Sequence, residues 1–286
     1  METDTKRFIM TFHLPDLAAF VRATLAEDMG EGGDRTSAAV IPDDATLTAS
    51  MDSRDAVTVA GLPIAAAFFR ALDPGCVIDM LVAEGAAVPA GTNLMRISGN
   101  ARALLTAERS ALNTVQHLTG IATMTRAYVD AIAGTGAVLL DTRKTLPGLR
   151  VLEKYATRMG GATNHRMRLD DGVMIKDNHI AVAGGVDAAV RAAKAAGLTG
   201  VVVEVDTLDQ IEPALAAGAD RLLLDNMGPD LLRRAVALVA GRVPTEASGG
   251  VRLDTIRAIA ETGVDYISVG RITQSAPAAD IGLDFG

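Results

Sequence analysis

The chain has 286 residues, 49% of them hydrophobic, enough to fill the core of one sizeable barrel domain or of two ordinary domains. A formal net charge of -8, no Trp and 3% aromatic residues exclude the basic stripes and stacking platforms of a general nucleic-acid surface, so any anion site must be local. One cysteine, Cys76, excludes an intramolecular disulfide framework. The opening METDTKRFIM has no apolar leader, and the most apolar window, Ala56 to Phe69, is shorter than the roughly 20 residues of a spanning helix and contains Thr58 and Pro63. A cytoplasmic protein without nucleic-acid or membrane partners is expected.

In chain order, a helix is predicted near Leu17 to Asp28, then strands at Thr46 to Ser50, Val57 to Ala60, Val77 to Val82 and Asn93 to Ile97, with turns at Gly75, Gly85 and Pro89 to Gly91. This reads as a separate α+β layer. Glu84 to Gly99 faintly resembles a lipoyl-type hairpin but has no lysine to carry a cofactor. A long helix from Ala101 to about Ala133, with Leu105, Leu112, Val115 and Leu118 on one apolar face, joins this layer to the rest.

From Ala137 onward, short β-branched runs alternate with alanine-rich helices, the signature of a parallel α/β sheet or barrel. Strands are predicted at Ala137 to Asp141, Val173 to Lys176, Val201 to Val205, Arg221 to Leu224, Thr245 to Ala247 and Tyr266 to Val269. Helices are predicted at Leu149 to Met159, Val186 to Ala196, Leu208 to Ala217, Pro229 to Ala240 and Leu253 to Glu261. Gly197, Gly218, Gly241 and Gly263 stand where helices should end.

Reactive groups of parallel barrels collect at the carboxyl ends of the strands. Here those ends read Asp141-Thr142-Arg143-Lys144, Lys176-Asp177-Asn178-His179, Glu204-Val205-Asp206, Asp225-Asn226, Ser248-Gly249-Gly250 and Gly270-Arg271. Between Asp141 and His179, eight Lys or Arg residues oppose five acids in an otherwise acidic chain. Arg150, Lys154 and Arg158, at helical spacing, are read as a solvated helix face. Arg143, Lys144, Arg166 and Lys176 offer fixed cations for a small diacid and a phosphorylated partner, because the planar arginine fork suits carboxylates. Glu204 and Asp225, on successive strands, are candidate ligands of a hard divalent cation. The Ser248-Gly249-Gly250 turn before a helix offers backbone N–H groups to a phosphate.

These residues resemble the quinolinate phosphoribosyltransferase family. The resemblance rests on Asp141 to Thr145 with Pro147-Gly148-Leu149-Arg150, Glu153-Lys154-Tyr155-Ala156, Gly160-Gly161, Asn164-His165-Arg166 and Ile175 to His179. Glu108 to Asn113, Glu204-Val205-Asp206, Leu224 to Met227, Glu246 to Gly250 and Ser268-Val269-Gly270 extend it over nearly the whole chain. It implies a decarboxylating transferase that joins quinolinate to phosphoribosyl pyrophosphate and gives nicotinate mononucleotide, pyrophosphate and carbon dioxide in NAD biosynthesis. The implied fold is an N-terminal α+β sandwich domain over residues 1–115, rejoined by 272–286, and an incomplete, seven-stranded α/β barrel over 116–271; only six strands are read from the residues themselves. The resemblance further implies that Arg143, His165, Arg166 and Lys176 bind the diacid beside Thr142, and that Arg109 reaches in from the neighbouring subunit of a homodimer. Lys144 would face the phosphoribosyl side and, with Glu204 and Asp225, act in catalysis. Glu204 and Asp225 would serve Mg2+ and the ribose, the metal being held largely through substrate and water, and Ser248, Gly249, Gly250, Ser268 and Gly270 the phosphate.

Three departures stand out: Ala162 replaces a usual third glycine, Arg168 replaces a glycine, and Gly30-Glu31-Gly32-Gly33-Asp34-Arg35-Thr36 carries one extra glycine. Three other readings stay open at this point: a diverged relative associated with molybdenum transport, a sister enzyme acting on nicotinate, and a non-catalytic phosphate-binding barrel. The intact Ile175 to His179 segment disfavours the first, the number of cations the second, and retention of Glu204 and Asp225 the third.

Overall fold

The computed structural model describes residues 17–285; the expectation about the opening METDTKRFIM lies outside them. The described residues fall into two compact units, 17–124 with 151–161 and 276–285, and 125–150 with 162–275. The division drawn from the sequence placed 116–124 and 151–161 with the barrel, and 272–275 with the first domain, instead.

The first unit opens with α1 (Leu17–Met29) and α2 (Arg35–Val40). Asp34 starts α2 by accepting the Ser37 amide on its side chain, so the glycine-lengthened stretch before it ends in an ordinary helix cap. Next come β1 (Thr46–Ser53), β2 (Val57–Thr58), α3 (Leu62–Leu72), β3 (Val77–Met80), β4 (Ala87–Val88) and β5 (Thr92–Asn100). The apolar window at Ala56 to Phe69 is thus mostly the start of α3, a helix with Pro63 in its first turn and Phe68 and Phe69 fully buried. A buried carboxylate holds its N-terminus: Glu84 accepts the amides of Gly61 and Leu62 and, at 2.5 Å, the Tyr155 hydroxyl.

Helix α4 (Ala101–Ala131) buries Leu112, Val115 and Leu118, each worth about 1.5–3 kcal/mol of hydrophobic stabilisation, and Leu104 rather than Leu105 continues that face. Among the described residues no helix is long and apolar enough to cross a membrane.

In the second unit lie β6 (Val138–Leu140), α5 (Arg150–Met159), whose residues from Val151 belong to the first unit, β7 (Met174–Ile175), α6 (Asp177–Ala183), α7 (Val186–Ala195), β8 (Val202–Val205), α8 (Ile211–Ala216), β9 (Arg221–Asp225), α9 (Pro229–Val239), β10 (Thr245–Ser248), α10 (Ile256–Ala260), β11 (Tyr266–Ser268) and α11 (Arg271–Gln274). A 3-10 turn, Leu208–Gln210, replaces the first part of the helix predicted at Leu208 to Ala217. Gly197, Gly218, Gly241 and Gly263 all take positive φ, between 70 and 98°, as helix-ending glycines do.

The chain closes with β12 (Ile281–Phe285), which returns to the first unit. There the sheet order is β12-β1-β5-β3, and β12 pairs antiparallel with β1 from Ser53↔Ile281 to Ala49↔Phe285. The tail before it crosses α4 at Gly120: Gln116 donates to the Ile281 carbonyl, and a Cβ at position 120 would lie 3.0 Å from the Pro277 carbonyl carbon and collide with its oxygen. Backbone proximity, not flexibility, accounts for a glycine in mid-helix.

The second unit's sheet is parallel, in the order β6-β11-β10-β9-β8-β7, and β8 is buried along its whole length, as strands covered on both faces are. Six strands are present among the described residues, against the seven implied by resemblance. The seventh position is a single parallel bridge, Leu140↔Thr163. The next residues leave the ladder because the fully buried Asp141 carboxylate accepts the Asn164 side-chain amide at 2.5 Å and the His165 backbone amide at 2.8 Å. The barrel is therefore unpaired between Thr163 and β7.

Helix α5 corrects one expectation. Arg150 is half-buried, bonding Thr145 and the Met167 carbonyl, and Arg158 is exposed, but Lys154 is fully buried. Residues 152–157 are all buried, so the helix is enclosed on several sides, which a single stripe of charges at helical spacing does not reveal.

Candidate active site

Strand ends converge in the second unit on a cleft of about 390 Å³. Thr142, Arg143, Lys144, His165, Arg166, Lys176, Glu204, Asp225, Ser248 and Ser268 line it, as do Met174, Leu223 and Glu246, which were not proposed from sequence. A larger cavity of about 590 Å³ in the first unit, walled by residues such as Val21, Ile64 and Ala67, carries Arg22 and Arg70 but no acid, so it lacks the opposed charges of the cleft.

The cleft has two poles. On the cationic side, burial and then the nearby charge of Arg143 push the Arg166 guanidinium below its ordinary range, only partly opposed by Asp171. Arg166 donates to the Gly172 carbonyl at 2.9 Å, while the buried Nε of Arg143 makes no hydrogen bond among the described residues. Two guanidiniums that repel each other in a partly dry pocket would be stabilised by an anion between them. His165 joins this side: its Nδ1 accepts the Arg166 amide at 2.7 Å and its Nε2 lies 3.4 Å from Glu246 Oε2.

The anionic pole consists of Glu204 and Asp206 at the end of β8 and Asp225 at the end of β9, with carboxylate oxygens within 4.8 Å of one another. Burial, then the charges of Glu204 and Asp206, raise the Asp225 carboxyl above the usual range, against Lys176 and Lys144. The third acid, Asp206, was visible at the strand end but was not proposed as a ligand. Lys176 stands between the poles, its Nζ 3.2 Å from Glu204 Oε2.

Gly249, Gly250 and Gly270 are not among the residues lining the cleft, and two of them are closely approached by neighbours of lining residues or by a lining side chain. Gly249 has φ +88°, and a Cβ there would collide with Asn226 Oδ1 and lie 2.8 Å from the Asn226 nitrogen; Asn226 itself takes φ 55° just after Asp225. A Cβ on Gly270 would come within 2.7 Å of Lys144 Cδ, so this glycine leaves room for the lysine chain. Gly250, at φ +62°, meets nothing within 4 Å.

Arg109 is exposed on α4 in the first unit, outside the residues lining the cleft. Arg168 points away as an exposed partner of Asp170, at 2.9 Å. Ala162 is buried without a positive φ, so its backbone does not require glycine.

Residues 34–119 match the quinolinate phosphoribosyl transferase N-terminal domain, and residues 121–284 match the C-terminal domain of the same family. The chain is 44% identical over 273 residues to the nicotinate-nucleotide pyrophosphorylase [carboxylating] of Mycobacterium leprae, covering 92% of this chain and 95% of that one. It is 41% identical to the chloroplastic nicotinate-nucleotide pyrophosphorylase [carboxylating] of Oryza sativa, over 94% of this chain and 77% of that one. Among solved structures, the nicotinate-nucleotide pyrophosphorylase from Francisella tularensis superposes with a TM-score of 0.90 at 41% identity, covering 94% of this chain and 96% of that one. With both domains matched in order and a cleft of opposed charges at the strand ends, the chain belongs to the quinolinate phosphoribosyl transferase family.

Proposed function

We propose that this chain joins quinolinate to phosphoribosyl pyrophosphate and releases pyrophosphate and carbon dioxide, giving nicotinate mononucleotide for NAD biosynthesis in the cytoplasm. The observation that carries this reading is the two-poled cleft, in which cations suited to a diacid sit beside carboxylates suited to a metal-bound pyrophosphate. Arg143, Arg166 and Lys176, with Thr142 and His165, hold the diacid; Lys144 faces the phosphoribosyl side; Ser248, Gly249, Gly250, Ser268 and Gly270 take the phosphate.

Glu204, Asp206 and Asp225 fit a hard divalent cation: all are oxygen donors and mutually close, and burial, then the charges of Glu204 and Asp206, raise the Asp225 carboxyl. These carboxylates would hold magnesium, largely through substrate oxygens and water, and the ion would neutralise charge on the pyrophosphate. The protein's own residues orient the diacid so that its ring nitrogen faces the ribose carbon. The nitrogen lone pair forms the new bond as the carbon–oxygen bond to pyrophosphate breaks, and Lys144 offsets the charge that develops. The resulting pyridinium accepts the electron pair left when the 2-carboxylate departs as carbon dioxide, and that carbon then takes a proton from water.

We further propose a homodimer in which Arg109 of each subunit enters the partner's cleft, because Arg109 is exposed and outside its own chain's cleft-lining residues. The test of function is release of labelled carbon dioxide from the 2-carboxylate of quinolinate, with and without phosphoribosyl pyrophosphate and magnesium. Release only with all components present is expected. Comparable turnover of nicotinate, or release without the phosphoribosyl donor, refutes the reading.

A further inference from the structure

Glu246 lies on β10 with its side chain fully buried inside the barrel. An isolated carboxylate there would be strongly disfavoured, so its partners must explain it. Its Oε2 accepts from Arg221 Nη1 at 3.2 Å and lies 3.4 Å from His165 Nε2. Arg221, the first residue of β9, is held from its other side by the ring of Tyr266, the first residue of β11, with its guanidinium carbon 4.2 Å from the ring centroid. A continuous series, Tyr266–Arg221–Glu246–His165, thus runs across the barrel from the strand starts to the cleft. Burial pushes the Glu246 carboxyl up, but His165, Ser268 and Arg221 together outweigh this and hold it below the usual carboxylate range. It is ionised.

The orientation of His165 follows from its two contacts. Nδ1 accepts the backbone amide of Arg166 and so carries no proton, which leaves the proton on Nε2, facing the carboxylate. Arg221 offsets the negative charge of Glu246, so the cleft keeps its positive field for a diacid.

We propose that Glu246 is a positioning residue: its carboxylate, clamped by Arg221, holds His165 in the Nε2-protonated form with Nδ1 bonded to the Arg166 amide, and so orders the loop that presents His165 and Arg166 to the diacid. The kinetic part rests on quinolinate being the substrate; the histidine contacts do not. In long-range proton–nitrogen spectra of the ligand-free protein, the His165 proton is expected on Nε2 in the wild type and lost from that form or mixed with the other tautomer in Glu246→Gln. A wild-type proton on Nδ1 overturns the proposal whatever the substrate proves to be. Glu246→Gln is expected to raise KM for quinolinate about tenfold, equivalent to about 1.4 kcal/mol of lost electrostatic orientation of His165 across the 3.4 Å contact, with KM for phosphoribosyl pyrophosphate within about threefold of wild type. In a His165→Asn background the same substitution should cost less than about twofold, because coupled residues are not additive. An equal cost in both backgrounds overturns it. Arg221→Lys should keep near-wild-type KM and Arg221→Met should reproduce Glu246→Gln; the reverse ranking also overturns it, and this pair stands even where Glu246→Gln fails to fold.

Discussion

Replacing Asp225 by Asn should stabilise the ligand-free protein while removing activity. The carboxylate oxygens of Glu204, Asp206 and Asp225 lie within 4.8 Å of one another. At that separation and an effective dielectric of about 20, one like-charge pair costs about 3.5 kcal/mol. Asp225 faces two such neighbours, but Lys176 is paired with Glu204, Asp206 is exposed, and Lys144 and Lys176 both attract Asp225. The net penalty is about 1–2 kcal/mol, or about 2–6 °C in melting temperature for a domain of this size. The pH dependence has a definite sign: a carboxyl whose folded pKa is raised is penalised when ionised, so the penalty is present above that pKa and relieved as pH falls through it. Thermal melts in chelator should therefore show Asp225→Asn more stable than wild type at pH 7.5, with the gap closing towards pH 4. Excess magnesium with phosphoribosyl pyrophosphate should reverse the order, since a ligand stabilises only the form that binds it. A variant no more stable than wild type in chelator at pH 7.5, or a gap that does not change with pH, refutes the reasoning.

Arg166→Ala should weaken quinolinate about ten- to a hundredfold, the loss of charged hydrogen bonds, while nicotinate, already a poor substrate, changes little; competition kinetics with both acids measure this. Mixing inactive Arg109→Ala with inactive Lys176→Ala should recover activity through hybrid dimers with one intact site; no recovery after demonstrated subunit exchange excludes a shared site. Gly120→Ala should cost about 1–3 kcal/mol in denaturant melts, because its Cβ would collide with the Pro277 carbonyl oxygen, whereas Gly136→Ala, with open space and no left-handed φ, should cost less. Tyr155→Phe should lose about 1–3 kcal/mol by leaving the buried Glu84 carboxylate short of a donor, and without altering KM for either substrate.

The sequence by itself determined the alternating strands and helices from Ala137 onward and the polar residues at the strand ends. Both are local signals: a β-branched run or a helix-ending glycine records its own backbone geometry, and strand ends in a parallel barrel share one mouth whatever the details. It also carried, through motifs spread along nearly the whole chain, the family to which the protein belongs. Tertiary structure alone decided which charges face which. Lys154 looked like a surface cation until α5 proved to be enclosed. Arg168, which stands where a glycine is usual, stayed undecided from sequence until its pairing with exposed Asp170 placed it outside the cleft. The seventh strand shrank to one bridge at Thr163 because the Asp141 carboxylate, distant in sequence from the loop it binds, draws Asn164 and His165 out of the ladder. Glu246, read only as part of a glycine-turn motif, became the buried partner of His165 and Arg221, which stand 81 and 25 positions before it in the chain. Such contacts leave no periodicity in the sequence, because electrostatic partners in a closed sheet are set by strand order and register, and these exist only once the strands have paired.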